Sequence, residues 1–247
     1  MSTFKGIWVL TKKELKDSFL SPLVYILSAL FCFLMGWLFF NYLIASKEFT
    51  EQTLSQSVLL PIFGNMNFIF LFLAPLLTMR TFSEERKLKT IELLLTSRLS
   101  HFQIIMAKMI STFLMASFMI SLTFIFPIIL AMSGYEHWSI VASSYAGIFL
   151  SVLCYIAVGC FASSLTDNLV VSALLGFTIL LGIMLFSLTG NATQNIILGQ
   201  LFQYLAVPFH FDSFIKGGIR SYNILYMFSF IGFFSYLTHL SLESRKW

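Results

Sequence analysis

Six long apolar runs are the feature that most constrains what this chain can fold into. They lie at about residues 23–44, 58–79, 107–132, 139–163, 169–188 and 222–242. An α-helix needs roughly 20 mostly apolar residues to cross a bilayer, and strands of a membrane barrel would alternate between apolar and polar residues instead. Because these runs are apolar on every face, they predict an all-α, polytopic membrane protein with six transmembrane helices.

The composition excludes most other classes of protein. Of the 247 residues, 58% are hydrophobic and only 11% are charged, whereas soluble domains carry about 25% charged residues. Too little polar material remains to cover a water-facing surface, so a soluble enzyme and a disordered chain are excluded. The three cysteines lie inside apolar runs, which indicates packing residues, not a disulfide or metal set. No connection is long enough for a soluble domain, and we expect one transmembrane domain over 1–247.

The basic residues predict the orientation. Twelve of the 15 basic residues lie in three places: the N-terminal segment, the second connection together with Lys108 just after it, and the tail. The three others are Lys47, Lys216 and Arg220. Because basic residues concentrate in cytoplasmic loops, we expect both termini and the 80–106 connection in the cytoplasm. The net charge of +4 is then a topology signal, and no nucleic-acid partner is expected.

Residues 1–22 have the pattern of a helix in the membrane interface. Their apolar stripe consists of Phe4, Trp8, Leu15 and Phe19, and their basic stripe of Lys5, Lys12 and Lys16. Such a helix lies on the cytoplasmic surface of the bilayer, and Pro22 favours its end before the first span. The apolar run that follows is too long for the core of a signal peptide, so cleavage is not expected.

Charge and small residues describe the interior of the spans. Acidic and basic residues fall outside the runs or at their edges, which predicts no buried ion pair or proton relay within the bilayer. Small residues recur four apart at Ser143, Gly147 and Ser151, at Gly159 and Ser163, and at Ser172 and Gly176. This spacing lets helices approach closely, and it favours ordinary packing over a specific dimer face.

Catalytic motifs are missing from the sequence. It has no G-x-x-x-x-G-K-[ST] phosphate loop, no H-E-x-x-H, no C-x-x-C and no G-x-S-x-G. The four histidines are scattered, and we interpret them as interfacial residues, His210 near Asp212 included. If the protein performs work, the energy comes from another subunit.

The connection at 80–106 is the most informative segment. Ser83 followed by Glu84 and Glu85 is typical of a helix start, because a serine hydroxyl caps free amides and acids favour the positive end of the helix dipole. Glu85 and Lys89 are spaced for an ion pair. The apolar stripe consists of Leu88, Ile91, Leu95 and Leu99. The pattern predicts one amphipathic helix, which either docks to a soluble partner or rests on lipid headgroups; spacing alone favours neither.

Two segments of this connection carry a family resemblance. Residues 78–86 (TMRTFSEER) and 90–97 (TIELLLTS) resemble the membrane subunit of type-2 ABC exporters, most closely the gliding-motility and nitrous-oxide-reductase-maturation branch. Weaker matches follow in order along the chain. They are Ser164-Leu165-Thr166 with Asn168 and Ala173, then Phe209-His210-Phe211 with Phe214 and Lys216-Gly217, and the ending Arg245-Lys246-Trp247. Lys89 stands where the family usually has glycine, Arg98 where Ser-Pro is usual, and Val207 where a serine precedes the external proline.

The resemblance implies a permease subunit in the bacterial cytoplasmic (inner) membrane, working with a cytoplasmic ABC ATPase dimer and with a second copy or a paralogous permease. It implies no cofactor in this chain, since ATP and magnesium bind to the ATPase. The implied ATPase-coupling residues are Ser83, Glu84, Glu85, Arg86, Thr90, Glu92 and Leu95. A second cytoplasmic contact is implied at Leu165, Thr166 and Asp167. An external re-entrant gate is implied at Pro208, Phe209, Phe211, Phe214, Gly217 and Gly218.

Two rival functions remain open. A secondary transporter needs ionisable or broken-helix binding elements, often in repeated halves; Asn65 and Asn67 are the closest polar pair in the second span, and no repeat is visible. A structural membrane anchor of a larger complex is the other rival. The substrate is open among amphipathic lipids, glycans, peptides and purely mechanical work, and membrane lipid surrounds the protein in each case.

Overall fold

The computed structural model describes residues 3–46, 55–91, 99–132, 135, 137–192 and 196–244. The elements in these ranges are helical: α1 (Thr3–Leu20), α2 (Pro22–Ser46), a π-helical turn (Ser55–Leu59), α3 (Leu60–Thr78), α4 (Ser83–Lys87), α5 (His101–Ser121), a 3-10 turn (Leu122–Phe124), α6 (Ile125–Met132), α7 (Trp138–Leu165), α8 (Leu169–Ala192), α9 (Ile196–Leu205), α10 (Val207–Ile215) and α11 (Ser221–Glu243). Six helical segments of this part of the chain are long and apolar enough to cross a membrane. The prediction of an all-α polytopic membrane protein is confirmed.

The fourth span, α7, is the centre of the bundle. It packs against α3, α5, α8, α10 and α11, and it is the most buried of the six spans. Its small residues make the close approaches: a Cβ atom at Gly147 would lie 2.6 Å from Cβ of Phe214, and Gly159 packs directly on Thr78. The predicted small-residue spacing therefore serves packing within this chain, as the favoured interpretation expected.

The third span is interrupted near its middle. Pro127 has no backbone N–H to donate to the carbonyl of Thr123, and the 3-10 turn between α5 and α6 lies at this point. The span also begins at His101, six residues before the predicted run. Ser100 and Gln103 form a reciprocal capping box there, which is a helix-start signal that the sequence already contains.

The interfacial helix α1 ends at Leu20, and Pro22 begins the first span. Trp8, on the predicted apolar stripe, stays exposed, while a different face, with Leu10 and Thr11, is buried. Thr11 Oγ1 donates a hydrogen bond to the carbonyl of Ala107, 3.3 Å away in α5. The helix is therefore attached to the third span and keeps the Trp8 side chain exposed.

Six crossings leave α1, residues 79–91 and the end of α11 on one side of the membrane. We call this the α1 side. The short helices α9 and α10 lie on the opposite side, where α10 packs against α7.

Candidate functional site

The short helix α4 is fixed to the last turn of α7. The backbone amides of Phe82 and Ser83 donate to Oγ of Ser163, at 3.0 and 3.1 Å. The Ser83 hydroxyl donates to the Ser163 carbonyl at 3.0 Å. Ser83 is therefore not the helix cap that the sequence predicted: the N-cap is Phe82, which makes no side-chain capping bond. Ser83 is instead the first residue of the helix, and its hydroxyl bonds to the neighbouring helix.

A buried ion pair fixes the other face of α4. Nζ of Lys108, in α5, lies 2.9 Å from Oε1 of Glu14 in α1 and 3.0 Å from Oε1 of Glu85 in α4. The lysine side chain is only 1% exposed and lies over the ring of Phe82, 5.4 Å from its centroid. The prediction that no buried ion pair occurs is wrong at this membrane edge. Glu85 was predicted to pair with Lys89, but it pairs with Lys108, a residue of the neighbouring helix α5.

The helix α4 ends at Lys87, and Lys89, two residues further on, has a left-handed backbone with φ of 56°. The amide of Thr90 donates to the carbonyl of Glu85 at 2.9 Å, and the amide of Lys89 to that of Arg86 at 3.0 Å. These two bonds define a Schellman motif, whose left-handed position favours glycine. The predicted single amphipathic helix is therefore interrupted after five residues. Glu92 and Leu95 lie outside the described residues.

Four consecutive exposed residues form the last position of α4 and the turn after it: Lys87, Leu88, Lys89 and Thr90. We call them the α4 tip. Leu88 is 64% exposed. Glu84 and Arg86 are half-buried. Of the residues predicted to couple to an ATPase, Ser83 and Glu85 thus hold α4 in place, and Thr90 is exposed. Leu88, which was not among those residues, is exposed beside the left-handed turn at Lys89.

Replacing Lys89 with glycine is expected to stabilise the protein by up to about 1 kcal/mol. The left-handed conformation costs an L-residue about 1–2 kcal/mol, which glycine avoids. Part of this gain is offset, because glycine has more conformational freedom to lose on folding. Thermal unfolding of the full chain in detergent measures the change. Gly217 is the matched position, because it also has a left-handed backbone, with φ of 81°. The amide of Gly217 donates to the carbonyl of Phe214, and the amide of Gly218 donates to that of Ser213, which is the same pair of bonds. Gly217→Ala should shift the midpoint downward, and a downward shift for Lys89→Gly would contradict the assignment.

The predicted second contact lies at the same corner as α4. The helix α7 ends at Leu165, two residues after Ser163, and Asp167 is exposed while Thr166 is half-buried. Oδ1 of Asn168 accepts from the amide of Val170 at 3.0 Å, and this bond caps α8. The structure therefore brings together two segments that are 80 residues apart in the sequence.

The predicted gate residues lie in and around α10, on the opposite side. Phe211 and Phe214 are buried against Gly147, and Phe209 is half-buried. Pro208 was expected to break this stretch, but it lies in the first turn of α10, where its missing amide costs nothing. The break is two residues earlier, at Ala206, and the left-handed Gly217, followed by Gly218, lies just after the end of the helix, as expected.

His210 connects α9, α10 and α11. It is 1% exposed; Nε2 lies 3.0 Å from the Tyr204 carbonyl and Nδ1 lies 2.8 Å from Oδ1 of Asn223. Its ring stacks on Tyr226, with 3.8 Å between centroids. Interpreting His210 as an interfacial residue missed this role, and Asp212, its neighbour in sequence, points away to an exposed pair with Lys216. No pattern in the sequence indicates these partners.

Replacing His210 with leucine is expected to destabilise the protein by about 2 kcal/mol, because each buried group left without its partner costs about 1–3 kcal/mol. The Tyr204 carbonyl and the Asn223 amide are those groups. Thermal unfolding checks this, with His137→Leu as the control, since His137 is exposed. Equal effects of the two substitutions would show that the network carries no stability.

The polar pair of the second span is accounted for by internal hydrogen bonds. Nδ2 of Asn65 donates to the Tyr42 hydroxyl at 2.7 Å, and Oδ1 of Asn67 accepts from the Tyr155 hydroxyl at 3.0 Å. Both amides thus tie spans together, which is a structural use and not the substrate site that a secondary transporter would need.

Six candidate spans and a short helix braced by three other elements define the class, a polytopic helical membrane protein. The family follows from comparison: residues 8–240 match the model of the ABC-2 family transporter protein, and the chain belongs to this family. It is thus a permease, the membrane component of an ABC transporter, as the resemblance predicted. A search of curated proteins finds no match to the sequence.

Proposed function

We propose that this chain receives the force of ATP hydrolysis through the α4 tip and passes it to α7 and α5. The observation that carries the proposal is the bracing of α4: its first turn is bonded to Ser163 in α7, and Glu85 is paired with Lys108 in α5. The opposite end of the same helix is exposed. A helix held by two spans at one end and free at the other transmits a displacement of its tip directly to those spans.

The orientation of the chain supports this role. Twelve of 15 basic residues belong to the α1 side, which supports a cytoplasmic location for that side, where an ABC ATPase dimer has access to ATP and magnesium. The membrane is then the bacterial inner membrane. We infer export or mechanical work as the output, in the manner of the gliding-motility branch, with α9 and α10 as the external gate. The low burial of α8 and α11 supports a second permease copy or a paralogous permease beside them.

The α4 tip indicates the chemistry of the partner surface. An exposed leucine lies between two exposed lysines, which complements an apolar groove with acidic groups at its rim. The corner at Leu165–Asp167 adds a smaller contact beside it. Exposed ion pairs are each worth only about 0–1 kcal/mol, so the apolar side chain of Leu88 is expected to supply more of the affinity than either lysine.

Replacing Leu88 with aspartate tests the proposal. We expect at least a tenfold loss of ABC ATPase co-purifying with the tagged chain from native membranes, and a matching loss of coupled ATP hydrolysis. The abundance of the chain in the membrane should not change, because Leu88 is exposed. Ile219→Asp is the matched control: Ile219 is an exposed apolar residue on the opposite side, and its replacement should leave the ATPase bound.

Two results would contradict the proposal. Full ATPase binding by the Leu88→Asp chain would mean that the α4 tip is only an interfacial support. Absence of any ATPase from the unmodified chain, purified under conditions that preserve complexes, would favour a structural anchor or a secondary transporter.

A further inference from the structure

A cavity of about 710 Å³ lies on the α1 side, between α1, the α3–α4 segment and α5. Its size is within the range of about 300–1,000 Å³ that is usual for ligand pockets. Each of the three walls is one face of a largely helical segment. Residues 13–21 at the end of α1, residues 77–88 of the α3–α4 segment, and residues 108–115 of α5 contribute at spacings of three and four. Such spacing presents side chains to one side of a helix.

The lining changes from charged to apolar with depth in the membrane. Lys13, Asp17 and Glu84 line one end, while Leu77 and Met115 line the other. Met115 lies about 10 Å beyond Lys108 along the helix axis, at 1.5 Å per residue. The cavity therefore extends from headgroup level toward the hydrocarbon, which fits an amphipathic ligand better than a soluble one.

Four charged groups on the walls have no ion-pair partner among the described residues. Lys108 pairs with both Glu14 and Glu85, a cluster with one more acid than base, and this leaves two cations, Lys13 and Arg80, and two carboxylates, Asp17 and Glu84. Among these four groups the two signs are balanced, so a ligand that is only an anion or only a cation would leave one pair of charges uncompensated.

Among the residues that line the cavity, Arg80 gives the most specific indication of the ligand's chemistry. Its Nη1 donates to Oγ of Ser21 at 2.8 Å, but its Nε is buried and has no hydrogen-bond partner in the described part of the structure. A buried donor without an acceptor is costly. An arginine that lines a cavity with one satisfied and one unsatisfied donor is suited to a phosphate oxygen, because its planar fork of donors matches phosphate geometry.

We propose that this cavity binds the headgroup of one aminophospholipid, phosphatidylethanolamine, from the leaflet on the α1 side. Its phosphate is held by Arg80 and Lys13, its ammonium by Asp17 and Glu84, and its acyl chains begin along Leu77 and Met115. A primary ammonium donates hydrogen bonds to carboxylates, whereas a choline headgroup has no N–H to donate. The bound lipid joins α1 to the α3–α4 segment, beside the ion pair that already connects them.

Native mass spectrometry of the delipidated full chain in detergent tests the proposal, with palmitoyl-oleoyl phosphatidylethanolamine as the probe. We expect one saturable adduct, with the phosphatidylcholine and phosphatidylglycerol analogues at least tenfold weaker. Arg80→Gln should weaken binding of the probe by about tenfold or more, the usual effect of losing a charge-assisted hydrogen bond. Arg220→Gln is the control, because Arg220 is an exposed cation on the opposite side, and it should bind as the unmodified chain does.

A second variant guards against a folding defect in the first. Asp17→Asn combined with Glu84→Gln keeps both side-chain volumes and should abolish the preference for ethanolamine over choline. Equal binding of the two lipids by the unmodified chain would overturn the proposal, as would unchanged selectivity in this double variant. Displacement of the probe by millimolar O-phosphoethanolamine would also overturn it, since a soluble ligand would then suffice. No ATPase is present, so a negative result leaves the docking proposal unaffected.

Discussion

Replacing Lys108 with methionine is expected to destabilise the protein by about 3 kcal/mol or more, the usual cost of removing one partner from a buried ion pair. The ammonium of Lys108 is the shared partner of Glu14 and Glu85, and both carboxylates are less than 20% exposed. Without the cation, two like charges face each other in a site that little water reaches. The expected result is a lower thermal midpoint and loss of folded chain from the membrane.

The charge-free variant separates electrostatics from packing. Glu14→Gln and Glu85→Gln added to Lys108→Met should recover most of the loss, because replacing an entire buried ion pair with neutral groups is often neutral for stability. Thermal unfolding monitored by size-exclusion chromatography measures all three chains. Lys12→Met is the matched control, since Lys12 is exposed on α1. A triple variant no more stable than the single one would show that the packing of the lysine stem dominates.

Replacing Gly159 with valine is expected to cost about 3 kcal/mol, at the upper end of the range for overpacking a tightly packed core. A Cβ atom at this position would overlap Oγ1 of Thr78 and lie 2.8 Å from its Cβ, so α7 and α3 must separate. Separation of α7 and α3 also disturbs the hydrogen bonds that hold α4. Ser163 makes these bonds to Phe82 and Ser83, and it lies one turn after Gly159 in α7.

Gly182 provides the control for the second prediction. It lies in α8, and a Cβ atom there would meet nothing within 4 Å; Gly182→Val is therefore expected to change the free energy of unfolding by no more than about 0.5 kcal/mol. Thr78→Ala combined with Gly159→Val should recover part of the loss, since it removes Oγ1 and Cγ2. Thermal unfolding of the three variants decides the matter, and equal losses at the two glycines would refute the close approach.

Much of the architecture could be predicted from the sequence. Six spans, an interfacial helix before Pro22 and a helix start near Ser83 were predicted, and the structure has helices at each place. A bilayer requires each crossing to satisfy its own backbone and to be apolar along its length, so each span can be recognised without knowing its neighbours. Even the missed start of the third span follows a local signal, the capping box at Ser100.

The candidate site was predicted in position but not in detail. The short connections place α4 and the Leu165–Asp167 turn on the same side, but their contact through Ser163 joins residues 80 apart. Lys108 reaches Glu14 across 94 residues, and His210 is bonded to partners from two other helices. Which way a side chain of a five-residue helix points depends on the surface against which the helix packs.

The sequence by itself determined the number, length and polarity of the spans, because lipid acts on every helix separately. Only the tertiary structure decided that Glu85 turns inward, that Lys89 reverses the chain and that Leu88 is left exposed. The physical reason is that a charge can be buried at a membrane edge only where opposite charges arrive from other elements. Contacts between charged side chains of different elements exist only in the packed bundle, so they cannot be predicted from any single segment.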